Sequence, residues 1–429
     1  MSEWPIAAVF LAIALMYLAT RNLFSYQMMF YWMSLPGILA LPPRAAAVIA
    51  AGTLARAIGM LAGNRIFKFN PKRELARLRK APLTSLFGSV PVGLYATGFV
   101  IVLATAVSVF YFTVVGVPLL AEEVGTARML AKTATGSWIV MRFIRLVIPV
   151  MIFICYMHWR QKFSLSRYFR LAGLFMGVAF LLSATGFKGN VLMFLAVPGV
   201  ILTGLISEKI SLRLMVSLGL AAVVAAFIVT GAMAQTTDFR VIFDLLWNRL
   251  ALESYNGLIY IVYYLVPTQG FQGGATFWSD FMSLLYKLHL VNAPVKNVAA
   301  LIASTQLGRY YLGEQAGVYV EGELYLNFGM TGVVLGGAIV GTFLQALYVF
   351  TVRIGKDAVL LPFLVMLQLG IMMSLGSPFI PMVIDYVVST TLAFLLLVFA
   401  YVFASVPFRQ IKLRYPRRVL GLLWEGTRS

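Results

Sequence analysis

Arg142 and Arg145 stand three residues apart in an otherwise apolar run, a spacing that sets both on one face of a helix. They fall four to seven residues from the end of that run, about 6–11 Å below it at a helical rise of 1.5 Å per residue. A cation inside an apolar span is expensive and as a rule faces a cavity or a partner. Guanidinium groups gathered at such a place suit a phosphate or pyrophosphate, which arginine grips through two parallel hydrogen bonds. Lys188, Arg240, Arg249 and Arg309 fall on the same side of the alternating spans and could extend the set, although each could instead pair with an acid or reach the headgroups. Arg56 lies nearer the opposite end of its span and is expected to snorkel.

The acids complement these cations. Glu321 and Glu323 open the run Glu321-Gly322-Glu323-Leu324-Tyr325-Leu326-Asn327-Phe328-Gly329, just where an apolar span begins at 325. Glu323 and Asn327 are four apart and point the same way along a helix. A carboxylate there could take the proton of a sugar hydroxyl as a general base, or simply complement a helix N-terminus. Asp385, early in the last span, reads as a proton-coupling group or a buried partner for one of the arginines. His289 is a further candidate base, more at home as an interfacial residue.

Positioning these groups falls to helices crossing a bilayer. Apolar residues make up 61% of the 429 and charged residues 11%, a balance that no water-soluble surface tolerates. Stretches such as Met215–Ala234 carry no charge over the length needed to span the hydrocarbon. The composition predicts an all-α polytopic membrane protein of about eleven spans, near 4–20, 26–41, 45–63, 87–118, 138–158, 171–187, 189–206, 214–235, 325–352, 358–376 and 382–406. Basic residues concentrate in 64–82, 159–170, 207–213, 353–357 and the tail 407–429. That is the positive-inside pattern, which sets the N-terminus outside and the basic tail in the cytoplasm. The net charge of +19 therefore reflects topology and needs no nucleic acid. No cleavage pattern precedes the first span, so the N-terminus is expected to be retained.

Residues 1–429 read as one integral-membrane domain, and 236–324 is its one segment of different character. It holds seven of the 15 acidic residues and several tyrosines, it falls on the outer side, and it predicts short helices at the membrane interface. The single cysteine, Cys155, permits no internal disulfide, and His158 and His289 form no metal-binding spacing. No cofactor is expected, and no phosphate-binding GxxxxGK[ST] loop occurs. The spacing Gly336-Gly337…Gly341 predicts close helix packing.

The stretch Glu321–Val333, with the glycine-bearing run to Gly341, resembles the (G)E-x-Y-x-N-F-G-x-x-G signature of bacterial O-antigen (Wzy-type) repeat-unit polymerases, relatives of the O-antigen ligases. Thr185-Gly186-Phe187-Lys188-Gly189-Asn190 occupies the place of their serine–arginine–glycine turn, with Lys in place of Arg. Some 25 residues carry the motif, while the layout covers most of the chain. The resemblance implies a metal-independent, inverting glycosyltransferase of the GT-C type in the bacterial inner membrane, acting on undecaprenyl-pyrophosphate-linked oligosaccharide, with a chain-length regulator protein as a candidate partner. On it, Glu323, Glu321 or His289 activates the acceptor, and Arg142, Arg145, Lys188, Arg249, Arg309, Tyr310, Tyr325 and Asn327 bind substrate. A surface-polymer ligase differs only in its acceptor. A transporter or flippase would instead show two related halves and helices broken within the membrane.

Overall fold

The computed structural model describes residues 4–22, 38–87, 90–121, 137–159, 164–185, 191–207, 236–251, 255–287, 290–292, 318–376 and 379–414, with single positions between them. Every element among these is helical: α1 (Trp4–Thr20), α2 (Pro43–Ile66), α3 (Pro71–Lys80), α4 (Val90–Val115), α5 (137–159), α6 (Leu165–Ala184), α7 (192–206), α8 (Phe239–Ala251), α9 (256–269), α10 (Ala275–Lys287), α11 (Tyr319–Arg353), α12 (Leu360–Ser374) and α13 (Phe379–Arg414). Six helical stretches are long and apolar enough to cross a bilayer, and α1, α7 and α12 are shorter apolar helices. The chain is a helical membrane protein. The expected spans 26–41 and 214–235 lie almost wholly outside the described residues.

The basic segments 64–82 and 353–357 meet at one end of the molecule, beside the end of α7. Arg353 donates to the Phe67 carbonyl (2.9 Å), Arg79 to the Gly204 carbonyl (2.8 Å), and Lys356 to the Arg79 carbonyl. A polar knot at the same end ties three helices together. Gln345 donates to Asn64 (2.7 Å), Asn64 to the Ala19 carbonyl (2.9 Å), and Tyr348 to the Thr20 carbonyl (3.0 Å). Each such bond saves a buried polar group from being left unmade in an apolar surround.

Above this knot α2 and α11 approach as closely as their backbones allow, as the glycine spacing predicts. A Cβ added at Gly59 would overlap the Ala338 carbonyl, one at Gly341 the Arg56 carbonyl, and one at Gly337 would stand 2.9 Å from the Gly52 carbonyl oxygen. Glycines on both partners make this contact possible.

α11 is not one helix. Gly329 takes φ 64°, ψ −155°, and the chain folds back on itself there. In a straight helix Leu324 and Gly336 would stand about 18 Å apart. Here the Leu324 side chain lies against Gly336, and its carbonyl oxygen is 2.8 Å from a Cβ placed on Gly332. The expected span at 325–352 is corrected accordingly. Residues 330–353 form a full-length arm, and 319–328 form a short arm packed against it. The motif that was expected to precede a span is this short arm.

The described part of 236–324 comprises α8, α9, α10 and the start of the short arm. Asp238 caps α8 by accepting from the Arg240 amide at 2.8 Å. α8 exposes Phe239, Phe243 and Trp247, and α10 exposes Trp278.

Candidate functional site

α5 carries the first half of the site. Its backbone widens into a π turn over Phe143–Val147; Arg142 immediately precedes that turn and Arg145 lies within it. Such insertions of an extra residue per turn are frequent at functional sites. Arg142 forms an ion pair with Asp385 on α13, both side chains being largely buried. Of the two roles open to Asp385, the structure shows the buried partner. The Arg142 guanidinium also lies over the Tyr386 ring, 5.3 Å from its centroid, within reach of a favourable cation–π contact. Tyr386 is itself held by packing against Gly370 of α12.

Arg145 leans the other way, 5.9 Å from the ring centroid of Phe194. Phe194 sits in a second π turn, Leu192–Ala196, at the start of α7. Arg145 remains in electrostatic range of Arg142 and Tyr386. The two arginines therefore contribute to one cluster built by α5, α7 and α13, although each stacks on a different ring. Arg142 is five residues from the start of α5 and Asp385 six from the start of α13, about 7–9 Å along each helix from the end remote from the basic segments.

The short arm of α11 carries the second half. Glu321 is 2% exposed and forms an ion pair with Arg56 of α2, which is 1% exposed. Arg56 is thus no snorkelling residue, as its place in the sequence suggested, but a buried partner held near the middle of α2. This corrects the reading of Arg56, and it shows the Glu321 carboxylate engaged by a guanidinium. Glu323 is fully buried.

Asn327 is a clamp. Its side-chain oxygen accepts from the Gly274 amide (2.9 Å) and the Thr276 amide (3.4 Å). Its amide group donates to Thr276 Oγ1 (2.5 Å) and to the Glu323 carbonyl (2.8 Å). The Gln272 and Gly273 amides donate to the Leu326 and Asn327 carbonyls at 2.9 and 3.0 Å. The turn between α9 and α10 is thereby laced to the arm beside its fold-back. Asn327 was expected to bind substrate, and what the structure shows is its side chain engaged with protein. Tyr325 is partly exposed and packs edge-on against Phe271, ring centroids 5.8 Å apart. At the arm's start Tyr319 stacks on Tyr255, centroids 4.4 Å apart.

Of the other expected site residues, Lys188, His289, Arg309 and Tyr310 lie outside the described residues, and Arg249 is on α8 with its side chain outside them. Sequence reasoning missed Tyr386, Phe194 and the role of Arg56. Adjacency to Asp385 could have flagged Tyr386, and Phe194 carries no signal among so many phenylalanines. Among the described residues, no group of three His, Cys, Asp or Glu side chains comes together to hold a metal.

No protein-family model matches the chain, and neither a curated protein nor a solved structure matches it.

Proposed function

We propose that the chain is a membrane glycosyltransferase, an oligosaccharide repeat-unit polymerase that uses polyprenyl-pyrophosphate-linked glycan as donor. The observation that carries this is the Arg142–Arg145 cluster: two guanidinium groups on a widened turn, facing Asp385, Tyr386 and Phe194, within the membrane at the end remote from the basic segments. On the eleven-span layout the basic end is cytoplasmic, the N-terminus is outside, and the cluster lies just under the outer face of the inner membrane. Parity supports that layout. α1 and α2 both run towards the basic end, where Asn64 donates to the Ala19 carbonyl, as that layout requires.

In the reaction the acceptor hydroxyl attacks the anomeric carbon of the donor and inverts it. The C–O bond to pyrophosphate breaks as the new glycosidic bond forms, and the hydroxyl proton passes to Glu323. Arg142 and Arg145 balance the charge that grows on the departing pyrophosphate. Asp385 holds Arg142 in place until that ligand arrives. α8 and α10, with their exposed aromatic rings, lie at the outer interface where such rings favour headgroup depth.

The test is deletion of the gene followed by separation of surface glycan by length, with Arg142→Ala as the point variant. A ladder collapsed to one repeat unit in both strains is expected. Full-length polymer retained on its lipid carrier would make the protein a ligase, and an unchanged ladder would remove the proposal. The helix broken at Gly329 and the buried Arg56–Glu321 pair favour a second reading as a transporter of lipid-linked glycan. Its mark would be single repeat units trapped on the cytoplasmic leaflet of the deletion strain.

A further inference from the structure

The short arm of α11 presents a different neighbour on each side. Glu321 meets α2, where its side chain lies on Gly52 and pairs with Arg56. A Cβ on Gly322 would stand 3.1 Å from Leu258 and 3.4 Å from Ile261, so that side faces α9. Leu324 packs on Gly332 and Gly336 of the long arm. At about 100° per residue, Glu323 is turned roughly 200° from Glu321. That is also the direction of Asn327, one turn on, whose side chain meets Gly274 and Thr276. The Tyr319 ring reaches 4.0 Å from a Cβ on Gly376, and the Val320 amide donates to the Leu375 carbonyl at 2.8 Å. Both contacts are with the end of α12, the helix on which Tyr386 packs. Glu321 and Glu323 therefore look in opposite directions, one into a closed charge pair and the other to the side on which Asn327 meets the turn before α10.

We propose that Arg56 and Glu321 are positioning residues: their buried ion pair fixes the rotation of the short arm and so holds Glu323 on the side of the turn between α9 and α10. The assignment rests on the polymerase reading only for what Glu323 then does. The pair has no proton to exchange with substrate and acts through the arm's register alone. A charge-free pair of similar volume should serve equally well, since a buried ion pair contributes geometry more than net stability.

The experiment compares Arg56→Met, Glu321→Met and the double variant in the full chain. Two quantities are read: the monodisperse protein recovered in detergent, and polymer made per folded molecule. Each single variant leaves a buried charge without its partner and is expected to lower folded protein about tenfold or more. The double variant is expected to recover both quantities to within about twofold of the natural chain. A double variant that folds but makes no polymer would make Glu321 a reacting group and overturn the assignment. One that folds no better than the single variants would overturn the pairing. Folded protein is measured without any activity, so failure of the polymerase reading shows separately, as an unchanged ladder in the deletion strain.

Discussion

Replacing Gly329 by Ala separates a folded-back α11 from a continuous helix by the sign of a single measurement. At φ 64°, ψ −155° the residue occupies a region open almost only to glycine, and forcing a side chain there costs about 1–3 kcal/mol. The added Cβ would also stand 3.1 Å from Phe271 Cζ and 3.3 Å from Cε1, so that ring must shift, for about 1 kcal/mol more. Together these come to about 2–4 kcal/mol, or a roughly 30- to 700-fold loss in the folding equilibrium at 1.4 kcal/mol per decade. In an unbroken helix the same change would be stabilising by about 1 kcal/mol, because alanine is the better helix former. Thermal unfolding of the purified protein in detergent reads the difference. A clearly lowered midpoint is expected, and an equal or raised midpoint would refute the fold-back.

Two other variants probe the surrounding packing. Asn327→Ala removes a side chain that makes four hydrogen bonds and should destabilise by about 2–3 kcal/mol while loosening the 270–276 turn. Amide exchange at Gly274 is the readout, and unchanged protection there would show that the clamp is not what holds the turn. Gly341→Leu drives a side chain into the Arg56 carbonyl across the α2–α11 contact, an overpacking of at least about 1–3 kcal/mol. The yield of folded protein should drop steeply, whereas a normal yield would mean that the two helices do not approach so closely.

Much of the scaffold was legible because lipid demands long apolar runs, and α1, α2, α4, α5 and α13 lie where those runs are. The glycines of α11 announced a close helix contact for the same local reason, though not that α2 would be the partner. The Arg142–Asp385 pairing was half visible: each residue stood out as a charge in an apolar run, and charges so placed need partners. The short arm was not legible. Its fold-back rests on one dihedral pair at Gly329, which hydropathy does not register, so the arm and the span after it read as one apolar stretch preceded by acids. Arg56 was misread as a consequence. Its partner is remote in sequence and reaches it only once the chain doubles back. The π turns at Phe143 and Leu192 likewise leave no mark in composition, yet they set which ring each helix offers to Arg145 and which neighbour Arg142 meets.

The same pair has a consequence for how the chain is made. Arg56 leaves the ribosome well before Glu321, and at about 5–20 residues per second the interval is tens of seconds. During that time α2 has to enter the bilayer with an arginine near its midpoint, at a penalty of about 2.5–3.5 kcal/mol for that position. The remaining apolar residues of Pro43–Ile66 must outweigh it unaided. Biogenesis thus begins with a helix inserted under electrostatic tension and ends when the short arm arrives to relieve it. The basic segments 353–357 and 407–429 are synthesised only after that closure is available.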